Sequence, residues 1–356
     1  MLIPLFRDTW RVCDTDDIVF YSVFCGIIKQ IYDWRLIMKI LVAIPCLNEE
    51  KNIKKVVSDI LETDLSGVAA DAFIEVLVVD DGSTDSTVDE AIAAGATVVS
   101  HTGNKGLGIA FQTAMDYAAN SGADIMVNMD GDGQFNPTEI PTLIAPIVNK
   151  EADVVMGSRF KGKDTKPENM PGIKYWGNKR MSNIISKLCR DKFYDVSCGF
   201  RAYSRETILK SNFHGKYTYT QEAFIFYYTQ NLKIVEVPIS VRYFTDRKSR
   251  IAGSIFKYAK KTSGIIISLY SDYFPLRLYG GIAVFFLILA VALGIPFFYH
   301  FIQTGYFRER LAFGLTAAFC AVVSCLSGAI GVILQGTTRM QENQNRILYQ
   351  LKKNAK

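Results

Sequence analysis

Much of what would mark the common soluble enzyme classes is missing from this 356-residue chain. Its seven cysteines are odd in number and form no CxxC pair, which speaks against a disulfide framework and against a zinc site and suits a reducing compartment. No secretory signal opens it, because the first residues lack a basic flank and a small-residue cleavage site. Gly106-x-Gly108 lacks the third glycine of a dinucleotide fingerprint, since Phe111 stands in its place, and no GxxxxGK[ST] loop is present, so NAD chemistry and ATP hydrolysis are disfavoured. Charge is absent from Leu278 to Phe307 and again from Leu311 to Thr338. Each run exceeds the roughly 20 residues that cross a bilayer core. A pair of buried core helices is the alternative, but such helices rarely lack a polar face over this length.

Hydrophobic residues make up 49% of the chain, with a mean hydropathy of +0.13, and the excess lies at this C-terminal end. Its flanks carry the charge. Arg247, Lys248, Arg250, Lys257, Lys260 and Lys261 precede the first run, Arg339, Arg346, Lys352, Lys353 and Lys356 follow the second, and only Arg308 and Arg310 lie between them. Spans at 278–304 and 311–336 with a basic tail at 337–356 are expected, both ends and the N-terminal domain being cytoplasmic by the positive-inside rule. The net charge of +5 is thus mostly membrane-flanking and gives no reason to invoke nucleic acid. Residues 252–277 mix aromatics, aliphatics and lysines in the manner of interfacial amphipathic helices, a soluble linker being the alternative.

From Met38 to about Ile251 the pattern alternates. "KILVAIP" reads as a buried strand, and the helix after it has apolar residues at Ile53, Val56, Val57, Ile60 and Leu61. "FIEVLVVDDGSTDSTVDEAIAAG" repeats the unit, and "ATVVSH", the helix from "GNKGLGIA", a strand over 124–129 and "ADVVMGSRF" continue it. Strands alternating with helices predict an α/β domain with a parallel sheet, whose ligands sit beyond the carboxyl ends of the strands. Polar groups gather at that edge: Pro45 to Glu49, Asp80 and Asp81, Asn104 and Lys105, Asp130 to Gln134, and Ser158-Arg159. One polar turn is ordinary, but five on one edge make a cleft.

"NMDGDGQFNP" is the densest of these. Asp130, Asp132 and Gln134 fall where strand gives way to loop, so alternate residues can face one point and offer hard oxygen ligands to Mg²⁺ or Mn²⁺. A calcium loop of the EF-hand type is the weaker reading, because Phe135 and Pro141 occupy the positions of its glycine and glutamate. A plain polar turn is the other.

The ordered segments "VAIPCLNEE", "VVDDGSTDST", "GNKGLGIA", "MDGDGQFNP", "VMGSRF", "DVSCGFRAY", "YTYTQE" and "EVPISVRY" resemble those of glycosyltransferase family 2. The polyprenyl-phosphate branch, that of dolichyl-phosphate mannose synthases and of bacterial enzymes that charge undecaprenyl phosphate, is the nearest likeness, over about residues 39–251. The resemblance implies a GT-A, Rossmann-like catalytic domain at 38–251 that transfers one hexose, UDP-glucose or GDP-mannose being the first donors to consider, to a polyprenyl phosphate with inversion. It implies that Pro45, Leu47, Glu49, Val79, Asp81, Lys105, Asp130, Gly131 and Arg250 bind the nucleotide sugar. Asp130, Asp132 and Gln134 match the metal motif. Arg159 and Arg180 match arginines that meet the acceptor phosphate; the family's serine falls at Ile184, so Ser182 or Asn183 would have to stand in.

A phosphate acceptor is already anionic and needs no general base, only cations to hold it, whereas a sugar hydroxyl needs a proton acceptor. Arg159, Arg180 and Arg201 favour the first case; Asp195 and Glu222 could serve the second, or could be arginine partners and caps. Catalytic roles are accordingly expected for Asp132, Arg159, Arg180 and Asp195. The stretch between Arg159 and Arg180 suits a mobile acceptor loop or a passive surface loop. Rivals are a polysaccharide synthase, whose QxxRW motif is absent because no tryptophan follows Trp176, a nucleotidyltransferase, and an inactive membrane scaffold. A flippase and a second copy of the chain are conceivable partners. Residues 1–37 fit neither a signal nor a clean helix, while Met38 opens the first strand. A protein beginning at Met38 is therefore expected to keep its activity, and a folded but inactive truncation would overturn this.

Overall fold

The computed structural model describes residues 37–162, 167–212, 219–243, 264, 268 and 270–354. Residues 1–36 of the N-terminal extension, more than half of the expected interfacial stretch, Arg250 and the side chain of Glu222 lie outside the described residues.

A seven-stranded sheet runs in the order β3-β2-β1-β4-β6-β5-β7, built from β1 Met38–Cys46, β2 Ala72–Asp80, β3 Thr97–Ser100, β4 Ile125–Asn128, β5 Val154–Ser158, β6 Arg201–Ser204 and β7 Ile234–Pro238. Strand β1 pairs in parallel with both β2 and β4, and from Ile40 onward it is buried throughout. Covering on both faces is why its sequence is a continuous apolar run rather than an alternating one. On one face Leu41, Ala43, Leu77 and Val79 pack under α3 (Leu107–Asn120), which contributes Phe111, Ala114 and Met115. On the other, Ile40, Val42 and Ile44 meet α1 (Ile53–Leu61) and α4 (Ile140–Val148). Four of the five apolar positions expected of α1 are buried; Leu61, at the edge of the stripe, is 42% exposed. Helix α2 (Thr87–Ala93) connects β2 to β3, and α5 (Gly172–Cys189) follows β5.

The sheet is mixed rather than wholly parallel. Strand β6 inserts antiparallel between β4 and β5, pairing Asn128 with Arg201 and Met156 with Arg201. Two reversals restore direction, so β5 runs with β1 to β4 and the carboxyl ends of all five still meet at one edge. Helices α6 (Arg205–Lys210) and α7 (Tyr219–Thr229) follow β6 and lie on the α3 side.

Beyond the domain stand α8 (Pro275–Thr304) and α9 (Leu311–Asn354), about 45 and 66 Å long at 1.5 Å per residue. Both are long and apolar enough to cross a membrane, and only 11% and 28% of their apolar windows are buried, unlike core helices. They touch through small residues: Gly314 lies under the Phe297 ring, where a Cβ would come within 2.7 Å, and Ser324 Oγ donates to the Ala283 carbonyl at 2.8 Å. Gly305, with φ +70°, ends α8 in the left-handed conformation that suits glycine.

Of the expected basic tail at 337–356, residues 337–354 continue α9 without a break. It folds against the catalytic domain: Asn212 Nδ2 donates to Asn345 Oδ1 at 3.0 Å, Tyr349 OH to Glu206 Oε2 at 2.9 Å, and Lys352 Nζ to Asp116 Oδ1 at 3.0 Å. The Tyr349 ring also packs on the apolar cluster under α3. Replacing Tyr349 and Lys352 by alanine together is expected to speed amide exchange over 345–354 about tenfold or more, given ~1 kcal/mol per lost hydrogen bond, while residues 315–330 stay protected.

Candidate active site

The loops after β1 and β2 form one side of the edge, and they interlock through main chain. Asn48 Oδ1 accepts from Thr84 N at 2.9 Å, Asn48 N donates to Ser83 Oγ at 2.9 Å, and Glu49 N donates to Thr87 Oγ1 at 2.8 Å. Pro45 and Val79 are neighbours in register; both are buried, Val79 wholly within the apolar cluster, so the Val79 side chain forms floor rather than a polar contact. Leu47 is half-buried beside Glu49, whose Oε2 accepts from Asn52 Nδ2 at 3.0 Å. The next loop comes so close that a Cβ at Gly82, φ +84°, would lie 2.7 Å from the Gly103 backbone. Only glycine fits there.

Asp81 closes this side. Its Oδ2 accepts Gly106 N–H at 2.8 Å, while Oδ1 accepts Lys105 N–H at 2.9 Å and meets His101 Nδ1 at 2.8 Å; His101 Nε2 reaches Thr113 Oγ1 at 3.0 Å. Burial would raise the Asp81 carboxyl, but these hydrogen bonds and the imidazole outweigh it and hold the group below the usual carboxylate range. Asp81 therefore anchors the start of α3, with its carboxylate already engaged, and Lys105 contributes its backbone to that anchor while its side chain stays exposed.

The carboxylate pair follows β4. Asp130 and Asp132 are half-buried, and burial together with the Asp132 charge lifts Asp130 to about 6, against the counter-pull of Arg159, Lys174 and Arg201. A carboxyl raised by burial and by a neighbouring carboxylate is a group that a hard divalent cation relieves, and Gln134 adds a neutral amide to the same loop. Gly131 between them has no room for a side chain: a Cβ would lie 2.5 Å from Cys46 Sγ and 3.1 Å from Ile44 Cγ2. The loop is braced by Gln134 N donating to Asp132 Oδ1 at 3.0 Å, and by Arg242 N donating to Gln134 O at 3.0 Å. Among the described residues no group of three or more His, Cys, Asp and Glu side chains clusters, so no further carboxylate, thiol or imidazole joins Asp130 and Asp132.

The expected cations separate. Arg159, at the end of β5, is buried against Asp195: Nε to Oδ2 at 2.6 Å, Nη2 to Oδ1 at 2.8 Å, and its backbone N–H to Oδ2 at 3.1 Å. Its Nη1 donates to Tyr243 OH at 2.9 Å. Asp195 is wholly buried with both oxygens on this arginine, which makes it an arginine partner and not a free base. Behind it, Glu236 on β7 accepts the backbone N–H groups of Tyr194 and Asp195, at 2.8 Å each, and so aims the carboxylate.

Arg201 is also removed from any ligand, being fully buried with its guanidinium on the carbonyls of Cys198, Val196 and Thr220. Ser182 is buried, and its Oγ accepts Val196 N–H at 3.2 Å, so it tethers α5 rather than meeting an acceptor. Arg180 is exposed and lies 5.4 Å over the Trp176 ring, apart from Arg159.

Lys174 instead turns to the carboxylates. Half-buried on α5, its ammonium lies 5.0 Å over the Tyr243 ring. Burial and the Arg159 charge push it down, while Asp132, Asp130 and Asp195 pull it up. His101, Lys174, Glu236 and Tyr243 all escaped the sequence reading. The edge rule itself points to His101, which directly follows β3.

Comparison with known proteins gives the same assignment. The profile described as Glycosyl transferase family 2 matches residues 41–210. A Methanococcus voltae protein, UDP-N-acetylglucosamine–dolichyl-phosphate N-acetylglucosaminyltransferase, is 34% identical over 221 residues, 56% of this chain and 84% of its own. The chain belongs to glycosyl transferase family 2. It is a glycosyltransferase of GT-A fold. Polyprenol monophosphomannose synthase of Mycolicibacterium smegmatis is 30% identical over 232 residues, 62% of this chain and 83% of its own. Glucosyl-3-phosphoglycerate synthase of Mycobacterium tuberculosis, solved with Mn²⁺, UDP and phosphoglyceric acid, superposes with a TM-score of 0.49 at 22% identity over 66% of this chain and 78% of its own.

For a family 2 enzyme, the two kinds of carboxylate are separable by stability. Asp195→Asn strands a buried guanidinium and is expected to cost about 3–5 kcal/mol, roughly 6–20 °C in thermal midpoint for the solubilised protein. Asp132→Asn is expected to move the midpoint by no more than about 2 °C, since it removes one of two mutually repelling charges. Equal losses in both would contradict the division.

Proposed function

We propose that the protein transfers one sugar from a nucleotide-diphosphate donor to a polyprenyl phosphate at a membrane surface. The observation that carries this is the state of Asp195. Beyond the Asp130–Asp132 pair, the described carboxylate nearest the cations has both oxygens committed to Arg159, so the edge is built to hold anions rather than to deprotonate a hydroxyl. A phosphate monoester arrives already charged and needs no base. The two apolar helices supply a route for an acceptor dissolved in the bilayer, and relatives named for dolichyl-phosphate and polyprenol substrates support the same acceptor class.

Asp130, Asp132 and Gln134 would hold Mg²⁺ or Mn²⁺, which when bound supplies positive charge for the departing diphosphate. The chain's own groups do the rest. The interlocked loops with Pro45, Leu47 and Glu49, anchored through Asp81, form a rigid wall for the nucleoside. Arg159, paired with Asp195, fixes Tyr243 at the end of β5. A phosphate oxygen attacking C1 opposite the leaving diphosphate inverts the anomeric centre. The catalytic domain and the end of α9 face the cytoplasm in this reading, in line with the charge of the flanks.

Membranes containing the protein, incubated with polyprenyl phosphate and radiolabelled UDP-N-acetylglucosamine, UDP-glucose or GDP-mannose, test the reading. Label is expected in an acid-labile, solvent-extractable lipid with one of the donors, lost with chelator and lowered about 10²–10³-fold by Asp132→Asn. Label in a water-soluble glycan or in protein, with none in lipid, would discard the phosphate acceptor.

A further inference from the structure

Basic side chains suit the acceptor phosphate, but most of those near the cleft are already spent. Arg159 uses Nε and Nη2 on Asp195 and Nη1 on Tyr243, and Arg201 holds three carbonyls. Arg180 stacks on Trp176 on the exposed side of α5. Lys174 differs from all three. It is half-buried, faces the Asp130–Asp132 loop, and has no carboxylate within salt-bridge reach among the described residues. Its ammonium lies over the Tyr243 ring, and the Tyr243 hydroxyl accepts a hydrogen bond from Arg159 Nη1 and so keeps its own proton to donate. An ammonium stacked on a phenol whose oxygen is held by a buried guanidinium brings two donors to one part of the cleft.

We propose that the Lys174 ammonium and the Tyr243 hydroxyl seat the acceptor phosphate, with Arg159 behind them as the group that orients Tyr243. The assignment to acceptor rather than donor follows from the helix that carries Lys174. Within the same two turns α5 exposes Ile173 and Trp176, 37% and 53% exposed, together with Lys179 and Arg180. That face combines apolar, aromatic and basic groups, the composition of a membrane interface. A phosphate on a lipid chain that comes past this face meets Lys174 before the carboxylate pair, which holds the donor side. Asn178, one turn further along the inner face, keeps a buried amide nitrogen without a partner among the described residues, a second sign that this face of α5 is built toward a polar ligand.

In the step itself one non-bridging phosphate oxygen forms the new bond to C1, the bond from C1 to the diphosphate oxygen breaks, and its electron pair leaves with the diphosphate. Lys174 and Tyr243 donate hydrogen bonds and transfer no proton.

The inference rests on the proposed function, and initial rates over a grid of donor and polyprenyl phosphate concentrations separate the two. Lys174→Met is expected to raise the acceptor KM about ten- to a hundredfold while the donor KM stays within about twofold; Lys174→Arg should recover most of the loss, and Tyr243→Phe should raise the acceptor KM about three- to tenfold. Unchanged thermal midpoints show that the variants fold. A rise in donor KM in place of acceptor KM, or a fall in kcat alone that arginine does not rescue, overturns the seat while leaving the function intact. A wild-type protein that labels no lipid overturns both.

Discussion

A guanidinium and a carboxylate shut away from water organise the β5 side of the cleft. Arg159 directly follows β5, Asp195 lies in the segment between α5 and β6, and their bidentate contact ties the two segments together. The pair is extended at both ends: Glu236 fixes the backbone of Asp195 from β7, and Tyr243 receives the outer nitrogen of Arg159. Buried ion pairs add little net stability over a well-packed apolar alternative, yet removing one partner is severe. Their use here is geometric. Directed hydrogen bonds from Asp195, Glu236 and Tyr243 hold these segments in register around Arg159.

The side formed by the β1 and β2 loops is organised differently. Among the described residues no buried ion pair joins these two loops; instead short side chains reach across to main-chain N–H groups, Gly82 lets the Gly103 backbone approach, and Gly131 lies against the Cys46 and Ile44 side chains, both where a Cβ would collide. Such a wall is rigid because its hydrogen bonds are local and numerous. Carboxylates take part in it: Asp80 accepts Ser83 N–H, Glu50 accepts Ser86 N–H, and Asp81 holds the start of α3.

These two styles explain how far the sequence could be read. Strands β1 to β5 were visible as apolar runs, and their carboxyl ends as polar turns, because covered parallel strands and the turns that follow them have a local signature. The metal-type loop was visible for the same reason. Strand β6 was not: it has four residues, one of them a buried arginine, and its pairing with β4 and β5 is decided far along the chain. The fates of the charged residues were equally non-local. Arg159, Arg201, Asp195 and Ser182 look alike as polar positions near motifs, but three backbone carbonyls claim Arg201, a backbone N–H claims Ser182, and Arg159 and Asp195 claim each other. Lys174 looked like one more lysine in a loop rich in them, and only the fold turns it toward Asp130 and Asp132.

Helix α9 couples the apolar region to the catalytic domain without a joint. Because the same helix that packs on α8 through Gly314 and Ser324 also places Asn345, Tyr349 and Lys352 against the domain, the contact is phased as well as spaced. Removing one residue between Thr338 and Asn345 would turn the docking face by about 100° and draw it in by about 1.5 Å. Helical pitch, rather than the length of a tether, therefore sets which way the cleft points relative to α8.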